Sequence, residues 1–378
     1  MGLIVGIDAS RNRSGGAKVH MVGLLKEGDP ARFGIDMVHV WSYASLLASL
    51  PDAPWLIKHN PPELERSLPH QVWWQYRSLP REARRLGCRV LLNTDAGSVC
   101  PFEPAVVMSR DMLSYEDGEM DRFRFTRAWV RLWLLKYIQA YSMRRAKGVV
   151  FLTDHAAKVI QRTTGPLSNI RMIPHGVGES FRLPVGGAQR ERPAGSAVRC
   201  LYVSNAALHK HQWHVVRAFG ILRRQGRLVR LVLAGGGKGA PLERMEEAIR
   251  ETDPRGEFIE VHPAIPHGDI PGCLAQADIF LFASSCENMP NTLVEAMAAG
   301  LPIACSNRGP MPEVLRDGGV YFDPEDPVSI AGAIDGLIEN TDLRDRIARR
   351  ARELSDAYSW NRCAAETWGY LAEFRAGG

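Results

Sequence analysis

The chain has 378 residues, 45% hydrophobic and 24% charged, which is too long for one comfortable core and ordinary for a soluble protein built on two. Its formal net charge of +5 suits a phosphate-bearing ligand or an anionic membrane surface without requiring either. The seven cysteines at 88, 100, 200, 273, 286, 305 and 363 are scattered, with no Cys-x-x-Cys pair, which excludes a disulfide framework and a zinc site and fits a reducing cytosol.

The opening MGLIVGIDAS reads as a first strand. No basic segment leads into a long apolar run, so no secretory signal is expected, and no stretch of about 18 apolar residues would span a membrane. A cytoplasmic location is the resulting expectation. Further strands are expected at 36–41, 53–59, 88–94, 105–109 and 148–153, with helical patterns between several of them. Their near-continuous apolar runs fit a parallel sheet buried on both faces.

The Pro-, Gly- and Arg-rich segment 182–199 then has linker composition. After it the alternation restarts: strands at 200–205, 228–235, 257–262 and 277–285, helices at about 212–225 and 241–251, and a mostly helical tail from about 326. The expected fold class is α/β, with two doubly wound domains in tandem. Ligands of such sheets sit at the carboxyl ends of the strands, and two domains facing each other would leave a cleft between them.

The stretch CENMPNTLVEAMAAGLP, 286–302, follows the run ADIFLFASS. Pro290 suits a first helical turn, and Gly300 with Pro302 makes a stop. Glu287 is thereby placed in a strand-to-helix loop and Glu295 about one turn inside the helix. A helix N-terminus presents free N–H groups and partial positive charge, for which a diphosphate is the natural guest. The two carboxylates are then placed to accept hydrogen bonds from hydroxyls around it. Solvated surface carboxylates are the plain alternative.

The unit E-x7-E, followed by EAMAAGLPIACSNRGPMPEVLRDGGVYFDPEDP, resembles retaining glycosyltransferases of the GT-B fold, specifically the large family 4 group. The likeness runs from about 200 to 360 and takes in LYVS…HKHQ, LVLAGGG and the closing YSWNRCA. ENMPNTLVEAM and the earlier NTDAGSVCPF…SRDMLSYE look most like members that build bacterial surface polysaccharides of the O-antigen or capsule type.

The resemblance implies two Rossmann-like domains, an acceptor-binding one at 1–185 and a nucleotide-sugar-binding one at 200–355. It also implies a linker at 186–199 and a C-terminal helix, 356–378, returning to the N-terminal domain. Glu287 would face the donor sugar and Glu295 bind the nucleotide ribose. Lys210 matches the family's phosphate-binding lysine, where a cation offsets charge on the leaving diphosphate. Many relatives carry an arginine where this chain has Asn205, so Lys210 acts alone or with His209 or Arg308.

The family's glycine-rich run after the first glutamate reads Asn288-Met289-Pro290-Asn291-Thr292 here. Pro290 donates no N–H, so amide contacts to the donor fall to Met289, Asn291 or Thr292. Ser204, at the end of LYVS, is expected beside them. Ser14-Gly15-Gly16 matches a glycine pair that lets backbone approach the donor phosphates, although a plain tight turn explains it as well. The usual N-domain histidine is missing from MSRDMLSYE, leaving Asp111 as the candidate at the acceptor, Arg110 at the phosphates, and Asp95 of comparable weight. His175 stands where relatives have an asparagine and is expected to be structural.

The implied enzyme is a retaining hexosyltransferase that needs no cofactor and no metal; no Asp-x-Asp pair occurs in the chain. Its donor would be a GDP- or UDP-linked sugar and its acceptor a lipid-linked or polysaccharide glycan, with no nucleic-acid partner. The segment 122–148 combines eight Lys/Arg with Trp129 and Trp133 and suits peripheral contact with the anionic cytoplasmic face of an inner membrane. A domain helix with its apolar side in the core is the alternative. Three other readings stay open. LAGGGKGA (233–240) contains a G-x-G-x-x-A run with Glu260 about 20 residues on, as in dinucleotide-binding oxidoreductases. A sugar-nucleotide epimerase or a catalytically dead binding relative would share the two-domain fold.

Overall fold

The structure is a computed structural model that describes residues 2–13, 15–183 and 195–375. Ser14 and most of the expected linker lie outside the described residues. The chain divides into two compact units, one of 1–176 with 359–378 and the other of 177–358.

The first unit holds seven strands: β1 Leu3–Asp8, β2 Ile35–Trp41, β3 Leu56–His59, β4 Val90–Asn93, β5 Ala105–Met108, β6 Gly148–Phe151 and β7 Ile170–Met172. They form one parallel sheet in the order β3-β2-β1-β4-β5-β6-β7. Residues of β4, β5 and β6 are buried throughout, as expected of strands covered on both faces. A cluster of Trp41, Leu64, Trp74, Leu79, Ala83, Leu91 and Phe102 fills one side. The helix Trp360–Ala372 packs on Gly15–Lys26 of the same unit. There Gly23 leaves room for the Trp360 ring, which a Cβ would meet at 2.3 Å.

The second unit holds β8 Val198–Val203, β9 Val229–Ala234, β10 Ile259–His262, β11 Ile279–Phe282, β12 Ile303–Ser306 and β13 Val320–Phe322. These pair in parallel in the order β10-β9-β8-β11-β12-β13. β8 begins at Val198, two residues inside the range expected for the linker, because Val198 and Arg199 already pair with β9.

In each sheet the strand order reverses direction once, between β1 and β4 and between β8 and β11. At such a point the loops leaving the carboxyl ends of the two strands diverge to opposite faces and open a crevice. Gly235, just past β9, runs so close to the loop after β8 that a Cβ there would lie 2.2 Å from the Ser204 carbonyl oxygen, and its φ of +147° is one that glycine alone adopts readily. This close approach, rather than a phosphate, accounts for the first glycine of the 235–237 run.

Candidate functional site

The crevice of the second unit is bounded by the loop after β8, residues 204–211, and the loop after β11, residues 283–287. The two are stitched together. The Ser285 amide donates to the His209 carbonyl (2.8 Å), and the Ser284 hydroxyl donates to the same oxygen (3.2 Å). The buried His211 ring meets the Ser285 hydroxyl at 2.9 Å. His211 takes a left-handed conformation (φ 52°, ψ 30°), which ends the turn Leu208–Lys210 and starts the helix Gln212–Arg224.

That stitching delivers Lys210 and Glu287 to each other. The ammonium donates to Glu287 Oε1 in an ion pair whose side chains are 17% and 16% exposed. Lys210 is held from two further sides: its carbonyl accepts from the Tyr202 hydroxyl at 2.7 Å, and its ammonium lies 5.6 Å over the Phe282 ring. Two residues 77 apart in sequence therefore share one site at the β8/β11 reversal.

Beyond the loop, the helix Asn291–Ala298 begins after Pro290, with no side-chain cap. The Asn291 amide is occupied by the Met289 carbonyl at 3.0 Å. A ligand reaching the Asn291 amide would have to compete with that carbonyl. The amides of Met289 and Thr292 accept no such internal claim among the described residues and remain available, as helix N-termini leave them. Ser204 uses its amide on Ala234 (2.8 Å) and its hydroxyl on the Asn205 carbonyl (3.1 Å).

Glu295 is 6% exposed and pairs through Oε1 with Nε2 of His267 at 2.7 Å, while Oε2 is buried without a hydrogen-bond partner. Burial pushes its carboxyl above the usual range, with His267 opposing the shift. The hydrogen bond to Glu295 in turn raises the His267 imidazolium, against burial. His267 was not singled out in the sequence. It lies 28 residues from Glu295 in a short turn, His267–Asp269, and also contacts the Phe181 ring, 5.2 Å between centroids.

A raised folded value means stabilisation that is present below the ordinary pKa of 6.5 and lost as pH climbs through the folded value. The stability advantage of the wild type over His267→Gln, which donates but does not titrate, should therefore be greatest below the ordinary pKa of 6.5 and fade as pH rises through the raised folded value. Thermal unfolding of both proteins across that range checks it; a constant difference would show that the pair does not titrate with folding.

In the first unit, the β1/β4 reversal gathers a second polar group. Arg110 donates to Asn12 Oδ1 (3.1 Å) and to the Thr94 carbonyl (3.5 Å). Burial brings its guanidinium down to about 10, and Asp95 resists that shift. Asp111 accepts from the Leu113 amide (3.0 Å) and the Gln139 side chain (3.4 Å), and burial raises its carboxyl. Asp95 is occupied by the Gly97 amide at 2.7 Å. His175 is buried and stacks on His20 with centroids 4.5 Å apart.

Gly15 and Gly16 open the helix Gly15–Lys26, and a Cβ on Gly15 would meet nothing within 4 Å. No packing among the described residues explains that glycine. The remaining candidates near the second crevice have partners elsewhere: Arg308 pairs with Asp323 at 3.0 Å. The glycine-rich 235–240 turn follows β9 rather than β8, the strand at the reversal point, and its Gly236 carbonyl is taken by the Ala206 amide at 2.8 Å. Glu260, its prospective ribose ligand, is tied to Arg230 (2.7 Å) and Arg199 (3.4 Å). These positions remove the basis of the dinucleotide reading.

Residues 189–354 match the family "Glycosyl transferases group 1". The chain is 24% identical over 322 residues to the alpha-D-kanosaminyltransferase of Streptomyces kanamyceticus, covering 79% of this chain and 81% of that protein. It is 26% identical to the O-antigen chain mannosyltransferase B of Escherichia coli over 44% of each chain. The crystal structure of Anabaena HepE in complex with UDP-glucose superposes with a TM-score of 0.75 at 15% identity, covering all of both chains. The matched residues, fewer than half of the chain, include the Lys210–Glu287 pair, and the two parallel-sheet Rossmann-like units share the GT-B fold with the Anabaena structure.

Proposed function

We propose that the chain is a retaining, metal-independent glycosyltransferase that moves a hexose-type sugar from a GDP- or UDP-linked donor to a hydroxyl of a lipid-linked or polysaccharide acceptor. The observation that carries this reading is the Lys210–Glu287 pair at the β8/β11 reversal, beside the open amides that start the helix Asn291–Ala298. A lysine and a helix N-terminus together supply the positive charge that a departing diphosphate needs. Glu295 then serves the ribose, through the Oε2 that has no hydrogen-bond partner among the described residues. The UDP-glucose bound by Anabaena HepE and the O-antigen role of the Escherichia coli relative support the donor class and the surface-glycan setting.

On this reading the first unit receives the acceptor, with Asp111 and Arg110 at its β1/β4 crevice. The enzyme works on the cytoplasmic face of the inner membrane, touching it through the helix Arg127–Arg145. That helix carries Arg127, Arg131, Lys136, Arg144 and Arg145 and no acidic residue, with Val130, Trp133, Leu134, Tyr137, Ile138 and Tyr141 exposed.

The test is thermal unfolding against UDP, GDP, ADP, dTDP and NAD without added metal. A ligand at about 100 times its Kd stabilises by roughly 2.7 kcal/mol. One pyrimidine or purine diphosphate is expected to raise the midpoint. Glu295→Gln should weaken that nucleotide by about tenfold with little change in kcat, since a ribose contact acts in ground and transition states alike. Stabilisation by NAD alone would overturn the reading.

A further inference from the structure

The exposed apolar side chains are unevenly distributed. Of the fourteen large hydrophobic residues exposed among the described residues, ten lie on two neighbouring stretches: Leu68, Trp73 and Tyr76 on the helix Leu68–Arg77, and Phe125 through Tyr141 around Arg127–Arg145. A protein surface rarely gathers so many without a partner. Between these two helices and the face of β4 and β5 lies a cavity of about 690 Å³. Val72, Tyr76, Val99, Phe102, Ile138 and Tyr141 are among its walls. At its buried end, Asn93 and Ser98 hydrogen-bond to each other at 2.9 Å, so an apolar guest would not strip either of its partner. The volume lies within the range of sites that enclose a whole small ligand.

We propose that this slot takes the hydrocarbon chain of an anionic, phosphate-bearing lipid, the class of molecule that presents a lipid-linked acceptor. The assignment rests on the membrane-facing reading above and extends it from a surface to an internal site. Charge selects the occupant. The helix over the slot has five basic residues and no acidic one; among the described residues Arg145 pairs with Glu103 at 3.0 Å, both lining the slot, and the other four basic residues have no ion-pair partner. An anionic headgroup at the mouth satisfies that field while its chain fills the apolar interior. A second copy docked through the same face would set like charges against each other.

The experiment uses the full chain and two probes. Dodecyl phosphate below its micellar concentration is titrated calorimetrically, and vesicles of phosphatidylcholine with or without phosphatidylglycerol are sedimented. The wild type should saturate with a single dodecyl phosphate. Ser142→Trp, which projects a ring into the slot from a half-exposed helical position, should weaken that binding by about tenfold or more while leaving vesicle binding unchanged. Val72→Trp blocks the opposite wall and should do the same, which guards against a variant that fails to fold.

Undiminished dodecyl phosphate binding in both folded variants overturns the proposal. So does a concentration-dependent dimer of the wild type in sedimentation velocity that Ser142→Trp abolishes, because a second copy would then own the face. Saturable dodecyl phosphate binding with no vesicle binding keeps the slot and removes the membrane reading.

Discussion

Glu287→Gln is expected to lower kcat by about 10³-fold while changing the donor KM by less than about threefold. Glutamine is nearly the same shape and can still accept the Lys210 hydrogen bond, so the substitution removes charge with little change of geometry. On the proposed reading, this carboxylate, 16% exposed, faces a sugar carbon that develops positive charge and so acts in the transition state much more than in the ground state. Removing an interaction of that kind lowers kcat and kcat/KM together. Lys210 loses its counter-charge, so a modest stability loss is expected as well. Initial rates against a donor series, with unfolding midpoints measured alongside, check both parts. A kcat within tenfold of wild type would show that Glu287 serves only to hold Lys210.

Lys210→Met is expected to lower kcat/KM for the donor by about 10²- to 10³-fold, with the loss shared between KM and kcat. The ammonium is held by Glu287; on the proposed reading a donor diphosphate competes for it and gains most as charge builds on the leaving oxygen. The substitution also leaves Glu287 largely buried without its cation. Breaking a buried pair from one side costs about 3–5 kcal/mol at full burial, and this site, one-sixth exposed, should show part of that. The double variant Lys210→Met with Glu287→Gln then separates the roles. Contacting residues couple, so its unfolding midpoint should recover relative to Lys210→Met, whereas its activity should not. Activity falling by the full product of the two single losses would mean that the residues act independently and that the pair is incidental.

The alternation of apolar runs and helical patterns located ten of the thirteen strands among the described residues, because runs such as VLLN and AVVM are buried on both faces and carry little else. β7 escaped notice as a three-residue edge strand, Ile170–Met172, with Arg171 turned out. β12 and β13 escaped because they are short and sit among Pro, Gly and charged residues. For the site, the loop position of Glu287 and the helix start after Pro290 were legible, since caps and turn residues are local signals.

Partnership was a different matter. The sequence alone determined that the chain is α/β with two sheets and that Glu287, Glu295 and Lys210 stand at the ends of strands or the starts of helices, because periodicity and punctuation act over a few residues. Only the tertiary structure decided that Lys210 meets Glu287 across 77 residues, that His267 shares Glu295, and that Asn291 spends its amide on Met289. It also decided that 127–145 exposes its aromatic face above a cavity, with only Leu132, Gln139, Ala140 and Met143 buried. Those outcomes depend on strand order and on which loops a reversal brings together, and no pattern within one segment encodes the neighbour that another segment will supply.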